Sequence, residues 1–168
     1  FVDPRHGGGR MNSRTTEDIV ELVKLGGQDY LWYRSIPVTA AFLRATTADE
    51  GGNLTFEKEA LILENLAIAQ AVRNSGGIVI AQVERIARQG SLKAREVIVP
   101  GILVDYVVVG REEHHWQTFA ERYNPAYTDA VKVPVTTVAP MEMSERKIIS
   151  RRAAMELQSG ATVNLGIG

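Results

Sequence analysis

Two glycines near the end of the chain could bind an anion through their backbone. Residues 161–165 form a short run that predicts a strand, and Gly166, Ile167 and Gly168 follow it directly. Glycines in such a turn let backbone N–H groups approach a phosphate or an oxyanion, and a helix after the turn would add the positive end of its dipole. The sequence stops before such a helix, so the turn is half of that motif.

A second candidate is the polar loop predicted at 46–53, which contains Asp49 and Glu50 and follows a predicted strand. Open α/β sheets bind ligands at the carboxyl ends of their strands, so these carboxylates could bind substrate or transfer protons. Asp, Gly and Asn are also the residues that turns use. The turn-forming role is therefore favoured over the functional one.

The adjacent residues His114 and His115 raise the question of a metal site. Neighbouring side chains point to opposite sides of a strand and are poor partners on a helix, so one metal ion cannot easily take both. The favoured interpretation of 110–134 is an exposed loop or lid, and no metal site is predicted. The run Gly7-Gly8-Gly9 could form an anion-binding nest, but a mobile loop is favoured there as well.

These candidates depend on elements arranged around one predicted helix, at 56–74. Thr55 is a suitable N-cap, Glu57 and Glu59 lie where the helix dipole favours carboxylates, and Gly76 lies where a left-handed residue ends helices. The apolar residues at helical spacing are Ile62, Leu66, Ala69 and Val72.

Apolar runs at 40–45 and 77–83 flank this helix and predict a parallel pair of strands joined by a right-handed crossover. The other predicted elements are a hairpin of strands 20–25 and 28–35, strands at 96–99 and 103–109, and a helix at 145–157 that is capped by Ser144 and closed by Gly160. The sequence therefore predicts an α/β fold with an open, mixed, mostly parallel sheet and flanking helices, incomplete at both ends.

Composition limits the classes of partner. The 168 residues carry a net charge of −1, which gives no field for attracting nucleic acid or anionic lipid, and no run reaches the length of a membrane span. The chain has no cysteine, which excludes disulfides and thiolate chemistry and is compatible with a cytoplasmic protein. Because the chain begins with Phe1 and stops just after a predicted buried strand, we expect it to be a piece of a longer protein.

Several strings, taken in order, resemble the family I CoA-transferases, and most of all the single-chain acetate and propionate CoA-transferases. The strings are FVDPR with Gly7-Gly8-Gly9, RATTAD at 44–49, IAQAVRNSGGIV at 68–79, IVPGILVD at 98–105, RRA at 151–153, and VNLGIG at 163–168. Together they span nearly all of the chain, so the resemblance is more specific than any one motif.

The resemblance implies two related α/β halves, with 1–139 as the later part of the first and 140–168 as the connector and opening helix and strand of the second. It implies CoA transfer from a short-chain acyl-CoA, such as acetyl- or propionyl-CoA, to a free carboxylate through a glutamyl-CoA thioester. No metal or organic cofactor is implied, since coenzyme A is a substrate. The implied partners are acyl-CoA, short carboxylic acids, the remainder of the enzyme and further copies of it.

The family's nucleophilic glutamate belongs to a Glu-Asn-Gly type of motif that this sequence lacks, because Glu64-Asn65 is followed by Leu66. We therefore assign no catalytic residue, and expect the chain to be inactive alone. By resemblance, Gly166 and Gly168 match the glycine turn near the acyl-CoA, with Asn164 and Ile167 beside it.

Two other functions are compatible with such a sheet. One is a non-catalytic module that binds acyl-CoA or a nucleotide on the same scaffold. The other, a nucleotide-binding oxidoreductase domain, is disfavoured because no complete G-x-G-x-x-G with its acidic ribose partner follows a first strand.

Overall fold

The computed structural model describes residues 13–164, which divide into two compact units at 13–128 and 129–164. The described strands are β1 (Val20–Leu25), β2 (Gln28–Tyr33), β3 (Ala40–Arg44), β4 (Thr47–Asp49), β5 (Leu54–Thr55), β6 (Ile78–Val83), β7 (Arg85–Ala87) and β8 (Tyr106–Val109), and the α-helices are α1 (Asn65–Asn74) and α2 (Glu145–Ala154). The first unit is a mixed α/β fold, as predicted.

The predicted strand–helix–strand unit is present as β3, α1 and β6. The two strands are parallel, with Ala41 opposite Val79, and β8 extends the same parallel sheet on the far side of β6. α1 packs on this sheet through Ala69 and Val72, which are fully buried. Gly76 follows the helix with φ +73°, which confirms its left-handed role.

The predicted start of α1 is wrong: the helix begins at Asn65, nine residues after the start predicted at Phe56. Thr55 lies in β5 and is no helix cap, because β5 pairs with β4 in an antiparallel arrangement. Phe56 is buried in the core, and Leu63 has φ +53°, a conformation that a helix does not allow. Tertiary contacts of 54–59 therefore override the local helix signals.

A second small sheet has the order β5-β4-β7, with β4 and β7 parallel. The prediction of a loop at 46–53 is therefore wrong at its start, because Thr47–Asp49 forms a buried strand. The strand predicted at 96–99 is replaced by a 3-10 turn at Ala94–Glu96 and a single bridge from Val99 to Leu54.

The strand predicted at 103–109 is shorter than expected, because Gly101–Leu103 forms another 3-10 turn and β8 begins only at Tyr106. By contrast, the predicted hairpin is confirmed as β1 and β2. Gly26 and Gly27 join them with φ +55° and +84°, the positive values that a tight two-residue hairpin turn requires.

In the second unit, α2 begins where the sequence predicts. The Ser144 hydroxyl accepts a hydrogen bond from the Lys147 N–H at 3.3 Å, which is N-cap geometry. The helix ends at Ala154, three residues before the predicted Leu157. The strand predicted at 161–165 is wrong for its described residues, since 161–164 have no regular secondary structure. Neither α-helix within residues 13–164 has the length and apolar character that crossing a bilayer requires.

Candidate functional site

A polar pocket of about 100 Å³ in the first unit is lined mostly by charged side chains. Its lining comes from the end of β3, the 58–59 segment, the residue after β6 and the segment 112–123. The lining residues are Arg44, Lys58, Glu59, Glu84, Glu112, His115, Gln117, Arg122 and Tyr123.

Glu59 links two of these elements through a buried carboxylate. Its Oε2 lies 3.2 Å from Nε of Arg44, and its Oε1 lies 3.1 Å from Nε2 of His115. The side chains of Glu59 and His115 are only 9% and 4% exposed. A buried carboxylate needs such partners, since an unpaired charge in the interior is costly.

His115 contacts two other elements through its ring nitrogens. Its Nδ1 lies 3.5 Å from Nε2 of Gln82, and its Nε2 lies 3.1 Å from Oε1 of Glu59. His115 is therefore a buried link between β6 and the 58–59 segment, and Arg44 places a positive charge beside Glu59.

Lys58 forms the second link across the pocket. Its Nζ lies 2.9 Å from Oε1 of Glu84 and 5.5 Å from the centre of the Tyr123 ring, and its carbonyl accepts a hydrogen bond from Gln117 at 2.8 Å. The other Glu84 oxygen, Oε2, is buried and has no hydrogen-bond partner within the described residues. The pocket thus offers one free acceptor.

The charges of the pocket cancel in pairs. Arg44 faces Glu59, Lys58 faces Glu84, and Arg122 is paired with Glu112. A site for a phosphate or a carboxylate needs cations that are not already neutralised. The pocket therefore holds the 112–123 segment against the sheet and is not built to bind an anion.

Glu57 contacts all three strands of the β5-β4-β7 sheet. It accepts hydrogen bonds from the hydroxyls of Thr47 and Thr55 and lies 2.7 Å from the guanidinium of Arg85. Burial acts to raise the pKa of the Glu57 carboxyl, but the threonine hydroxyls, the backbone N–H of Glu57 and the charge of Arg85 together lower it. Glu57 is thus held as a carboxylate.

The carboxylate of Asp49 is saturated by its own turn. Oδ1 accepts from the N–H groups of Gly51 at 3.0 Å and Asn53 at 2.9 Å, and Oδ2 accepts from the Asn53 amide at 3.0 Å. The amide of Asn53 and these backbone N–H groups lower the Asp49 pKa despite the opposing effect of burial. This confirms the turn-forming role that we favoured, while the Glu50 carboxylate accepts a hydrogen bond from the Gln89 N–H.

The same turn approaches the Pro100-Gly101 segment very closely. A Cβ placed on Gly101 would lie 1.9 Å from the carbonyl oxygen of Gly51, so no other residue fits there without a backbone shift. The Gly101 N–H is also donated to Oδ1 of Asn53 at 2.9 Å. The loop at 49–53 is therefore a rigid support.

Comparisons with known proteins identify the family. Residues 3–110 match the model of the coenzyme A transferases. The chain belongs to this family. It is 52% identical over its whole length to a caffeate CoA-transferase of Acetobacterium woodii and 40% identical to the acetate CoA-transferase YdiF of Escherichia coli K12, and it spans 32% of the length of each.

The fold of this coenzyme A transferase chain matches that of a solved relative. The acyl-CoA transferase YdiF of Escherichia coli O157:H7, solved as a thioester complex with CoA, superposes with a TM-score of 0.81 at 39% identity. The match covers all of this chain and 33% of that protein. The recognition made from the sequence is confirmed.

Of the four substrate-binding residues predicted from the resemblance, only Asn164 lies within the described residues, where it is exposed and outside regular structure. Gly166, Ile167 and Gly168 lie outside them, as do Gly7, Gly8 and Gly9. Their roles remain predictions.

The interpretation of 110–134 as an exposed loop was wrong at His115. The His114 side chain is 69% exposed, but that of His115 is buried against Glu59. Within the described part of the chain, no three His, Asp or Glu side chains are grouped as a metal ion would need. No local pattern predicts the His115 contacts, because its partners Glu59 and Gln82 lie 56 and 33 residues away along the chain.

Proposed function

We propose that the chain is part of an acyl-CoA:carboxylate CoA-transferase that moves CoA between short-chain acyl-CoA, such as acetyl- or propionyl-CoA, and a free carboxylate. The observation that carries this proposal is the similarity over the whole chain to proteins named as CoA-transferases, at 52% and 40% identity. The solved relative that was trapped as a thioester complex with CoA supports a covalent route.

In the proposed reaction a glutamate outside this chain attacks the thioester carbonyl of the acyl-CoA and releases the CoA thiolate. The thiolate then attacks the glutamyl carbonyl of the resulting anhydride, which frees the donor carboxylate and leaves a glutamyl-CoA thioester. The acceptor carboxylate repeats these steps in reverse order. The chemistry needs no metal or organic cofactor, since each step exchanges one acyl bond for another.

The decisive experiment uses the whole protein with acetyl-CoA and propionate. We expect propionyl-CoA to form, and we expect borohydride to inactivate the enzyme only when acyl-CoA is present, because it reduces the glutamyl thioester. Inactivation by borohydride that does not depend on acyl-CoA would contradict the covalent route. A failure to exchange any acyl-CoA would favour a non-catalytic module that binds acyl-CoA or a nucleotide.

A second candidate substrate class is a larger aromatic carboxylate. It is favoured by the 52% identity to a caffeate CoA-transferase, against 40% to an acetate CoA-transferase. Comparing kcat/KM for acetyl-CoA and for caffeoyl-CoA, with propionate as the common acceptor, separates the two. A preference for acetyl-CoA supports the short-chain proposal, and the reverse preference replaces it.

For the chain itself, we propose that 1–139 completes the first half of the enzyme and that 140–168 begins the second. Gly166 and Gly168, with Asn164 and Ile167 beside them, would border the acyl-CoA. In the whole protein, Gly168→Val should raise KM for acyl-CoA about 10-fold or more, since a side chain would block backbone donors. We further propose that the whole protein is a cytoplasmic homo-oligomer. Light scattering of the purified protein tests its oligomeric state, and fractionation of the cells tests its location.

A further inference from the structure

The 112–123 segment lies at the edge of the sheet where open α/β folds bind ligands. It follows the carboxyl end of β8, and β3, β6 and β8 are parallel, so their carboxyl ends meet at one edge. Its His115 contacts Gln82 of β6 and Glu59. Glu59 is in turn paired with Arg44, the last residue of β3. The segment therefore turns back over this edge and borders any ligand that binds there.

Residues 117–122 of this segment form a tight turn. The Gln117 N–H donates to the Arg122 carbonyl at 2.9 Å. Inside that pair, the Thr118 N–H donates to the Glu121 carbonyl at 3.0 Å. The Thr118 hydroxyl also accepts a hydrogen bond from the Glu121 N–H at 2.9 Å, as serine and threonine often do in turns. Two paired backbone positions and a side chain that closes the turn leave its backbone little freedom.

Side chains at the base of the turn hold it in place. The Tyr127 hydroxyl donates to Oε2 of Glu121 at 2.7 Å, and the Asn124 amide donates to Oε1 of the same carboxylate at 3.3 Å. The buried Gln117 side chain accepts the Asn124 N–H at 2.7 Å and donates to the carbonyl of Lys58 at 2.8 Å. The turn is therefore a rigid projection that is fixed to the 58–59 segment.

Phe119 lies at the tip of this turn and is 101% exposed, so no described part of the chain covers its ring. A rigidly held aromatic ring gives a partner a large contact area with little loss of conformational entropy on binding. The tip offers no such preparation for an anion, because its one cation, Arg122, is already paired with Glu112. The geometry therefore suits a flat, uncharged group.

Only one group of the proposed substrates has this character. Acetate, propionate and their acyl groups are small and have no flat face, and the pantetheine arm of CoA is a flexible chain. The phosphates of CoA need cations that are free to bind them. The adenine ring, in contrast, is flat and uncharged, and such bases stack on aromatic side chains.

We propose that Phe119 stacks on the adenine ring of acyl-CoA and so binds the end of the substrate that is remote from the thioester. This inference rests on the proposed function, because it takes acyl-CoA as the ligand. Phe119 contributes affinity and selects thioesters that carry adenine. It takes no part in the exchange of acyl bonds, since the adenine ring does not react.

Kinetics of the whole protein with two thioester donors test this contact. Acetyl-pantetheine carries the same thioester as acetyl-CoA but ends before the diphosphate and the adenosine. With propionate as the acceptor, Phe119→Ala should lower kcat/KM for acetyl-CoA about 10-fold, the size of effect that stacking a base on an aromatic ring produces. The same substitution should leave kcat/KM for acetyl-pantetheine unchanged, and Phe119→Trp should retain the unsubstituted protein's value for acetyl-CoA.

The matched control is Ala120→Ser, which changes an exposed residue of the same turn without adding or removing a ring, and it should affect neither donor. Equal losses for the two donors at Phe119→Ala, or no loss for either, would overturn the proposal. The urea midpoint of Phe119→Ala should equal that of the unsubstituted protein. A lower midpoint would also overturn the proposal, because the ring would then pack against another part of the polypeptide or a second copy.

Calorimetric titration with free CoA separates this inference from the proposed function, because binding needs no turnover. If the unsubstituted protein binds CoA about 10-fold more tightly than Phe119→Ala but exchanges no acyl group, the proposed function fails and the stacking contact stands. If acyl groups are exchanged and both proteins bind CoA equally, the stacking contact alone fails. A protein that neither binds CoA nor exchanges acyl groups overturns both.

Discussion

The segment 56–74 and the helix α2 carry similar helix signals in the sequence, yet only α2 starts where those signals place it. Ser144 caps α2 through the N–H of Lys147, three residues away. In 56–74 the expected first turn is absent, because Phe56 enters the core, Glu57 contacts Arg85 28 residues away, and Glu59 contacts His115 56 residues away. Local signals thus decide an element only where no distant partner competes for the same residues.

Among the substitutions that test this comparison, we expect the one at Phe56 to change the free energy of unfolding most. In the whole protein, Phe56→Ala should lower the free energy of unfolding by about 3 kcal/mol, since it removes a buried ring from the core. Phe56→Leu, which keeps most of the volume, should cost about 1 kcal/mol. Urea unfolding measures both, and equal small losses would mean that the core contact does not displace the helix start.

Two glycines extend the comparison from side chains to the backbone. Gly101→Ala should cost about 2 to 3 kcal/mol, because the new Cβ meets the carbonyl of a residue 50 positions earlier in the sequence. Gly76→Ala should cost only about 1 kcal/mol, since its φ of +73° is strained for alanine but nothing lies within 4 Å of the new Cβ. Thermal unfolding of the two variants should preserve this order, and the reverse order would contradict the close approach of Gly51 and Gly101.

The distant contacts of Glu57 can be tested by the pH dependence of the stability that they contribute. Its pKa is lower in the folded protein than the ordinary value of 4.5, so its contribution to stability is present above that value and is lost as the pH falls through the folded pKa. Glu57→Gln should therefore cost about 1 kcal/mol at neutral pH and progressively less in acid.

The control for Glu57 is Glu96→Gln, which removes an exposed pair with Lys93 only three residues away. Such a pair contributes little to stability. The urea midpoint of the Glu96→Gln protein should therefore hardly differ from that of the unsubstituted protein, at neutral or at acid pH. If Glu57→Gln lowers the free energy of unfolding by the same amount at neutral and at acid pH, the threonines and Arg85 do not stabilise the carboxylate form of Glu57.

The same division between local and distant contacts separates the elements that the sequence predicts from those that it does not. The parallel pair β3 and β6, the hairpin with Gly26 and Gly27, and the Ser144 cap depend on alternation, turn chemistry and capping within a few residues. The strand Thr47–Asp49 depends on parallel pairing with β7, which lies 38 residues further along the chain, and the start of α1 depends on the burial of Phe56 in the core. No local window contains those contacts. In the polar pocket, even the buried role of His115 was hidden for that reason.

Ser144→Ala should have an effect confined to α2 and isolates the local side of the comparison. It removes the hydroxyl that caps α2 and should destabilise that helix by about 1 kcal/mol, which corresponds to about 5-fold faster hydrogen exchange of its amides. Ser150→Ala, within the same helix and exposed, removes no cap and should leave the exchange unchanged or slower, since alanine favours helix. Because the cap is local, the amides of β3 and β6 should exchange as before in both variants. Faster exchange in those strands would mean that α2 is coupled to the first unit, and the division between local and distant control would then fail for this helix.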